Sequence, residues 1–376
     1  MKRIAIVTAS FAPVSTPRAN RATELAKEFA RQGYEVVVYT CTSISDKEDY
    51  IPEYDNLKVI NLNVRRISLS IRHNTSNMRS PIVDRTLIYI RRIVYYFSLG
   101  TWLIYLFGLI RNLKVTEKYD MLISIGLPFT IHWGVAVGMA RHKFADCSVA
   151  DYGDPFSKGN KNLKCAFYFR LVEKWVINKF DYITIPTLNA LDTYRWLKDD
   201  DHIKVIPQGF NFSEIKLRKY VPNKLPTFMY AGIFYSDIRN PKKLFEFLLS
   251  LSFDFRFFIY TVKGLQDSYS CITPYVNRFG NKLIVMDSIP RLDLIEQLSS
   301  ADFLINLSNN TSNQIPSKLI DYALANRPIF SCTSDVVDSE KFLQFCQGNY
   351  SGREHIKIED YDIKQIVAKF KDIMRK

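Results

Sequence analysis

Cations set beside free backbone amides can hold an anion such as a phosphate. Two stretches of this chain offer such groups. In "YAGIFYSDIRNPKKL", residues 230–244, Gly232 follows a strand-like run, where a bare backbone lets a diphosphate approach closely. Arg239, seven residues on, suits a bidentate phosphate contact, and Lys243 follows in the next helical turn. In "NQIPSKLIDYALANRPIF", residues 313–330, Pro316 suits the first helical position, and Asn326 before Pro328 suits a left-handed stop. Leu319, Ile320, Ala323 and Leu324 form one helical stripe, and Lys318, Asp321, Tyr322 and Ala325 form a second. The cap position falls on Ile315, which has no side-chain acceptor, so the amides at Ser317 and Lys318 need water or an anion. Lys318 and Asp321 are therefore either an ordinary surface pair or a grip on a ligand.

These residues need elements to position them. The first half alternates short apolar strands such as "RIAIVTAS", "YEVVVYTC", "YDMLISIG", "CSVADYG" and "FDYITIPT" with longer helical segments, which predicts a parallel sheet wound on both faces. After "IKVIPQGFNFSEI" comes a polar, basic stretch with two prolines, and the alternation restarts at "TFMYAGIF". The expected organisation is an N-terminal Rossmann-like domain over 1–205, a linker over 206–224, and a second Rossmann-like domain over 225–352. A C-terminal helix over 353–376 is free to cross back to the first domain. A chain of 376 residues fits two cores better than one.

Ligands in such sheets bind beyond the carboxyl ends of the strands, so the loops there hold the remaining candidates. Arg18 and Arg21 stand after the first strand, His132 follows "GLPFT", and Asp151 and Asp154 close the "ADYGDPFS" segment. Asp154 can bind an acceptor hydroxyl and act as its base, or simply cap the turn before Pro155. The histidines show no metal spacing. The cysteines at 41, 147, 165, 271, 332 and 346 are scattered and read as reduced and mostly buried.

The formal charge of +13 implies anionic partners. Its cations are dispersed rather than gathered on one recognition element, which argues against nucleic acid. From Ile93 to Ile110, "IVYYFSLGTWLIYLFGLI" carries no charge and is flanked by Arg91, Arg92, Arg111 and Lys114. That run is a spanning helix, a buried helix, or an interfacial helix with basic flanks.

Four segments together resemble a known family. "FAPVSTPRANRATELAKEFARQGYEVVVYT", "VIPQGFNF", "YAGIFYSDIRNPKKL" and the 313–330 segment occur in the order and spacing of the retaining, nucleotide-sugar-dependent glycosyltransferases of GT-B architecture. The branch is that of group 1, family 4-like enzymes of bacterial cell-surface polysaccharide, lipopolysaccharide or capsule synthesis. The resemblance implies two Rossmann-like domains facing a cleft, a nucleoside diphosphate sugar as donor, and a lipid-linked or glycan acceptor. It also implies retention by front-side attack, with no metal or other cofactor.

Residue by residue, it implies diphosphate contacts from Gly232, Arg239, Ser317 and Lys318. Ile233 stands where the family usually has an Arg, so one of two cations must come from elsewhere, Lys243 or Lys318. The paired-glutamate motif falls on Asn313 and Asp321; Asp321 keeps a carboxylate for the ribose hydroxyls, whereas neutral Asn313 can only hydrogen-bond. Asp154 becomes the catalytic candidate, and Arg18, Arg21, His132 and Asp151 the acceptor-binding ones. The basic aromatic region 82–114 is expected to hold the protein on the cytoplasmic face of an anionic membrane. The rival readings are a non-catalytic nucleotide-sugar-binding or scaffold subunit, and a nucleotide-sugar epimerase on the same fold.

Overall fold

The computed structural model describes residues 1–14, 16–41, 52–64, 81–115, 117–159, 165–308 and 317–375, without the side chains of 81–88, 91, 101 and 317. Asn313, Ile315 and Pro316 lie outside the described residues. The chain divides into two compact units, Met1–Phe210 with Ile363–Lys376, and Asn211–Asp362.

The first unit runs β1 (Arg3–Thr8), α1 (Pro17–Arg31), β2 (Glu35–Thr40), β3 (Leu57–Asn61), α2 (Pro81–Ser98), α3 (Leu103–Asn112), β4 (Tyr119–Ile125) and α4 (Thr130–Arg141). It continues through β5 (Ala145–Asp151), α5 (Phe169–Ile177), β6 (Tyr182–Ile185), α6 (Leu191–Tyr194) and β7 (Ile203–Val205). Its seven strands pair in parallel in the order β3-β2-β1-β4-β5-β6-β7. The apolar runs predicted this arrangement, because a sheet covered on both faces needs strands without a polar side. Ile4, Ile6, Val36 and Val38 face one core with α1, while Ala5, Val7, Val37 and Tyr39 face the other with α3 and α4.

The uncharged run of residues 93–110 is not one continuous helix. Leu99 and Gly100 both adopt positive φ, 57° and 53°, which ends α2 before a short 3-10 turn and α3. Gly108 and Gly134 let α3 close on its neighbours: a Cβ at Gly108 would meet Val64 at 2.4 Å, and one at Gly134 would meet Leu109 at 2.6 Å. The α3 half is thereby packed onto the unit, and the last residues of α2 remain exposed.

The second unit runs β8 (Thr227–Ala231), α7 (Lys242–Leu249), β9 (Arg256–Thr261), α8 (Gln266–Phe279), β10 (Leu283–Asp287), α9 (Arg291–Leu298), β11 (Phe303–Ser308), α10 (Ser317–Leu324), β12 (Ile329–Thr333) and α11 (Ser339–Cys346). Its five strands are again parallel, in the order β10-β9-β8-β11-β12. Phe228 stands at the centre of an aromatic core, stacked near Phe255 and Phe303 and edge-on to Phe342. A last helix, α12 (Ile363–Met374), belongs to the first unit, where Ile363, Ile366 and Phe370 join the α1 core.

Candidate functional site

Strand order alone places the crevice of the second unit between β8 and β11, the point where successive connections run in opposite directions. The two strands part there. β8 pairs with β9 over five residues but with β11 only at Phe228–Phe303 and Met229–Leu304. Side chains of α10 complete the backbone groups left over, as buried amides and carbonyls require. The Ala231 amide donates to the Tyr322 hydroxyl at 2.7 Å, and Lys318 Nζ donates to the Leu307 carbonyl at 2.6 Å.

Gly232 lies at this parting with φ 139°, a conformation open to glycine, and its amide still pairs with the Tyr260 carbonyl at 2.9 Å. The chain then folds back on itself: Tyr235 and Arg239 exchange backbone hydrogen bonds of 3.3 and 3.1 Å. That turn returns Arg239 to the start of its own loop, where Nη1 donates to the Ile233 carbonyl at 3.2 Å. The Tyr230 hydroxyl donates to the same carbonyl at 3.2 Å, and Lys318 Nζ sits 5.2 Å from the Tyr230 ring centroid. Gly232, Arg239 and Lys318 are thus brought together around one tyrosine.

The two cations resist each other. Burial, and then the positive charge of Arg239, push the Lys318 ammonium down to about 7. An anion between them would relieve both effects. Lys243 is elsewhere, and the expectation that it could supply the second cation is corrected in favour of Lys318. Its ammonium donates to the Asp335 carbonyl at 2.9 Å, in a groove lined by Lys242, Glu246, Phe247 and Val336.

Asp321 and Lys318 do not form the surface pair that sequence left open. The Asp321 Oδ1 accepts both Nε and Nη2 of Arg291, at 2.8 and 2.6 Å, and the side chain is 17% exposed. Burial raises its carboxyl above the ordinary aspartate range against the pull of Arg291. Arg291 is a residue sequence reasoning missed. Its one signal was an Arg opening a helix directly after Pro290, thirty residues before its partner.

In the first unit the candidates separate into a buried frame and an open cavity. Arg21 is 3% exposed and Asp151 fully buried. They form a bidentate pair with two contacts of 2.6 Å; Arg21 also donates to the carbonyls of Pro207 at 2.6 Å and Ile206 at 3.2 Å. Asp151 accepts from the Thr184 hydroxyl as well, at 2.6 Å. The reading of Arg21 and Asp151 as acceptor-binding residues is therefore corrected: this pair knits α1, β5, β6 and the segment after β7. His132 is fully buried, yet it lines the same cavity as Asp154. Its Nδ1 shares a 2.8 Å hydrogen bond with Ser124, and Nε2 is enclosed against Gly126, where a Cβ would come within 2.3 Å. Burial pushes it down to about 3, so it is a neutral side chain in the cavity lining.

Asp154 is exposed and lines a small cavity of about 30 Å³ with Trp102, Leu127, Phe129, His132 and Phe156. Glu173 of α5 holds this loop from both sides: Tyr152 donates to Oε1 at 2.9 Å, and the Ser157 amide to Oε2 at 3.0 Å. Nothing in the linear sequence marked Glu173, since its role exists only once α5 lies under the loop. Arg18, half-buried, lies flat against Gly153; a Cβ there would stand 1.7 Å from Nη2. Burial, joined by the nearby charge of Arg21, pushes its guanidinium below the ordinary arginine value against the pull of Asp151 and Asp154.

The architecture is that of the α/β, two-domain GT-B fold. No family model matches the sequence, and no curated protein matches it significantly. Among solved structures, the chain is similar to a sucrose-phosphate synthase from Thermosynechococcus elongatus. The two share 12% identity, over 100% of this chain and 98% of that one, with a TM-score of 0.66. The lipopolysaccharide outer core galactosyltransferase WaaB in its apo form shares 12% identity over 99% of both chains, TM-score 0.58. Anabaena HepE, in complex with UDP and glucose, shares 11% over 100% of both, TM-score 0.56.

Proposed function

We propose that the protein is a glycosyltransferase that moves a sugar from a nucleoside diphosphate to a lipid-linked or polysaccharide acceptor. The convergence of Gly232, Arg239 and Lys318 where β8 and β11 part is the observation that carries this reading. It offers a bare backbone and two mutually repelled cations, a seat that suits a diphosphate better than any neutral ligand. Neighbours on the same fold whose names specify UDP or galactosyl transfer support the class of donor.

In this mechanism Arg239 and Lys318 take up the charge that grows on the leaving diphosphate. Asp321, oriented by Arg291, receives the ribose hydroxyls on its remaining oxygen. Asp154 orients the acceptor hydroxyl, with Arg18 beside it for an acceptor phosphate. Retention, with the leaving phosphate accepting the hydroxyl proton, is carried over from the resemblance in sequence. So are a role in cell-surface glycan synthesis and a place on the cytoplasmic side of a membrane.

Thermal-shift screening against UDP, GDP and the other nucleoside diphosphates tests the donor seat. Stabilisation by one of them, lost in Arg239→Ala and Lys318→Met, is expected; no stabilisation by any would overturn the assignment. A non-catalytic binding subunit is the second reading, favoured by the neutralisation of Asp321 by Arg291. Transfer activity or donor hydrolysis abolished in Asp154→Ala, with donor binding intact, would reject it.

A further inference from the structure

Two segments of the first unit, far apart in sequence, leave large apolar side chains in water. On α2 and α3, Tyr89, Phe97 and Phe107 are 66, 56 and 64% exposed. On α5 and the turn before it, Phe167, Leu171 and Trp175 are 79, 71 and 44% exposed. The last three recur every fourth residue, and the helical hydrogen bonds already run through Phe167 and Tyr168, so they form one stripe. An exposed stripe of this size on a soluble helix marks an interaction surface.

The two segments are one surface. The Ala166 amide donates to the Tyr96 carbonyl at 2.9 Å, and the Tyr168 hydroxyl donates to the Phe97 carbonyl. The charge along them has a single sign. Residues 89–114 contain no Asp or Glu, and the one acid of 165–179, Glu173, is buried beneath the Asp154 loop. Arg92, Arg170, Lys174 and Lys179 remain around the aromatic groups, with Lys179 5.6 Å from the Trp175 ring centroid.

Aromatic and aliphatic groups whose described rim carries cations match the headgroup region of an anionic bilayer. We infer that α5 and the end of α2 together dock the protein on an anionic lipid surface and set the Asp154 cavity beside it. Both halves of the surface touch the cavity lining. Tyr95 of α2 meets Trp102 edge-on at 5.7 Å, and Phe169 of α5 meets Phe156 edge-on at 6.0 Å. An acceptor anchored in the bilayer therefore reaches Asp154 along an aromatic edge without leaving the lipid surface. This deepens the proposed membrane role of 82–114 by adding α5, and its last step rests on the reading of the cavity as the acceptor site.

Vesicle binding measures the docking without any transfer reaction, so its failure and a failure of the proposed activity are separate results. The full chain is mixed with vesicles of phosphatidylcholine alone or with about one-third phosphatidylglycerol, and the bound fraction is measured by sedimentation. Binding at least about tenfold tighter to the anionic vesicles is expected, with quenching of tryptophan fluorescence by brominated lipid that is reduced in Trp175→Phe. The triple variant Phe167→Ser/Leu171→Ser/Trp175→Ser should lose about tenfold or more, and Arg170→Glu/Lys174→Glu should lose the preference for anionic lipid. Circular dichroism confirms that these surface variants fold. Undiminished vesicle binding by the triple variant would overturn the inference. So would a wild-type chain that ignores vesicles but self-associates through the stripe, seen as a dimer that the triple variant abolishes.

Discussion

A diphosphate bound between Lys318 and Arg239 should draw a proton out of solution. In the free protein Lys318 is held at about 7 rather than 10.5, so near pH 8 only about one-tenth of it carries a charge. An anion against Nζ restores the ordinary lysine preference, and binding near pH 8 should then take up roughly 0.9 proton. Near pH 6, where Lys318 is already charged, uptake falls to about 0.1. Isothermal titration calorimetry of UDP, or whichever nucleoside diphosphate stabilises the protein, in HEPES and in Tris yields this number from the dependence of apparent enthalpy on buffer. Lys318→Met should bind more weakly and show no uptake near pH 8.

The same residue sets a pH dependence of stability. Because the folded value lies below the unfolded one, the folded chain binds fewer protons between about 7 and 10.5, and stability rises with pH across that window. Below about 7 the charged, buried ammonium costs on the order of 5 kcal/mol, so Lys318→Met should be the more stable protein in acid. UDP binding near pH 8 with a proton uptake equal to that of Lys318→Met would refute the placement of the diphosphate on this lysine.

Arg21→Met removes the bidentate partner of the fully buried Asp151, leaving it the Thr184 hydroxyl and the nearby Arg18, and should destabilise the protein by about 3–5 kcal/mol in urea unfolding. Gly153→Ala should drive Arg18 off the loop, since the new methyl would overlap its guanidinium; a loss of transfer with donor affinity unchanged in calorimetry is the expected split. Arg291→Ala frees Asp321 from its pair, and should weaken donor binding by about tenfold, the scale of one charge-assisted contact.

The strands were legible because a sheet buried on both faces must be written in continuous apolar runs, and such runs punctuated this chain from Arg3 to Thr333. The helix holding Lys318 was legible from its period. Which lysine would assist Arg239 was not, because Lys243 and Lys318 each open a helix after a strand, and only the turn at Tyr235–Arg239 decides between them. Arg21 misled for a related reason. Its position after the first strand fitted a ligand cation, and nothing local showed that Asp151, 130 residues later, would enclose it. Glu173 and Arg291 were hard to see because each acts on an element supplied by another part of the chain, the Tyr152–Ser157 loop and helix α10.

The helix α12 gives the protein a timetable. The side chains that close the α1 core, Ile363, Ile366 and Phe370, are synthesised only after the entire second unit. While the chain is growing, Phe29 and Ala26 must wait with that side of α1 uncovered, and the second unit, whose residues are contiguous, can finish first. A stop codon anywhere in the final turns would leave the later-born domain whole and the earlier one open along α1.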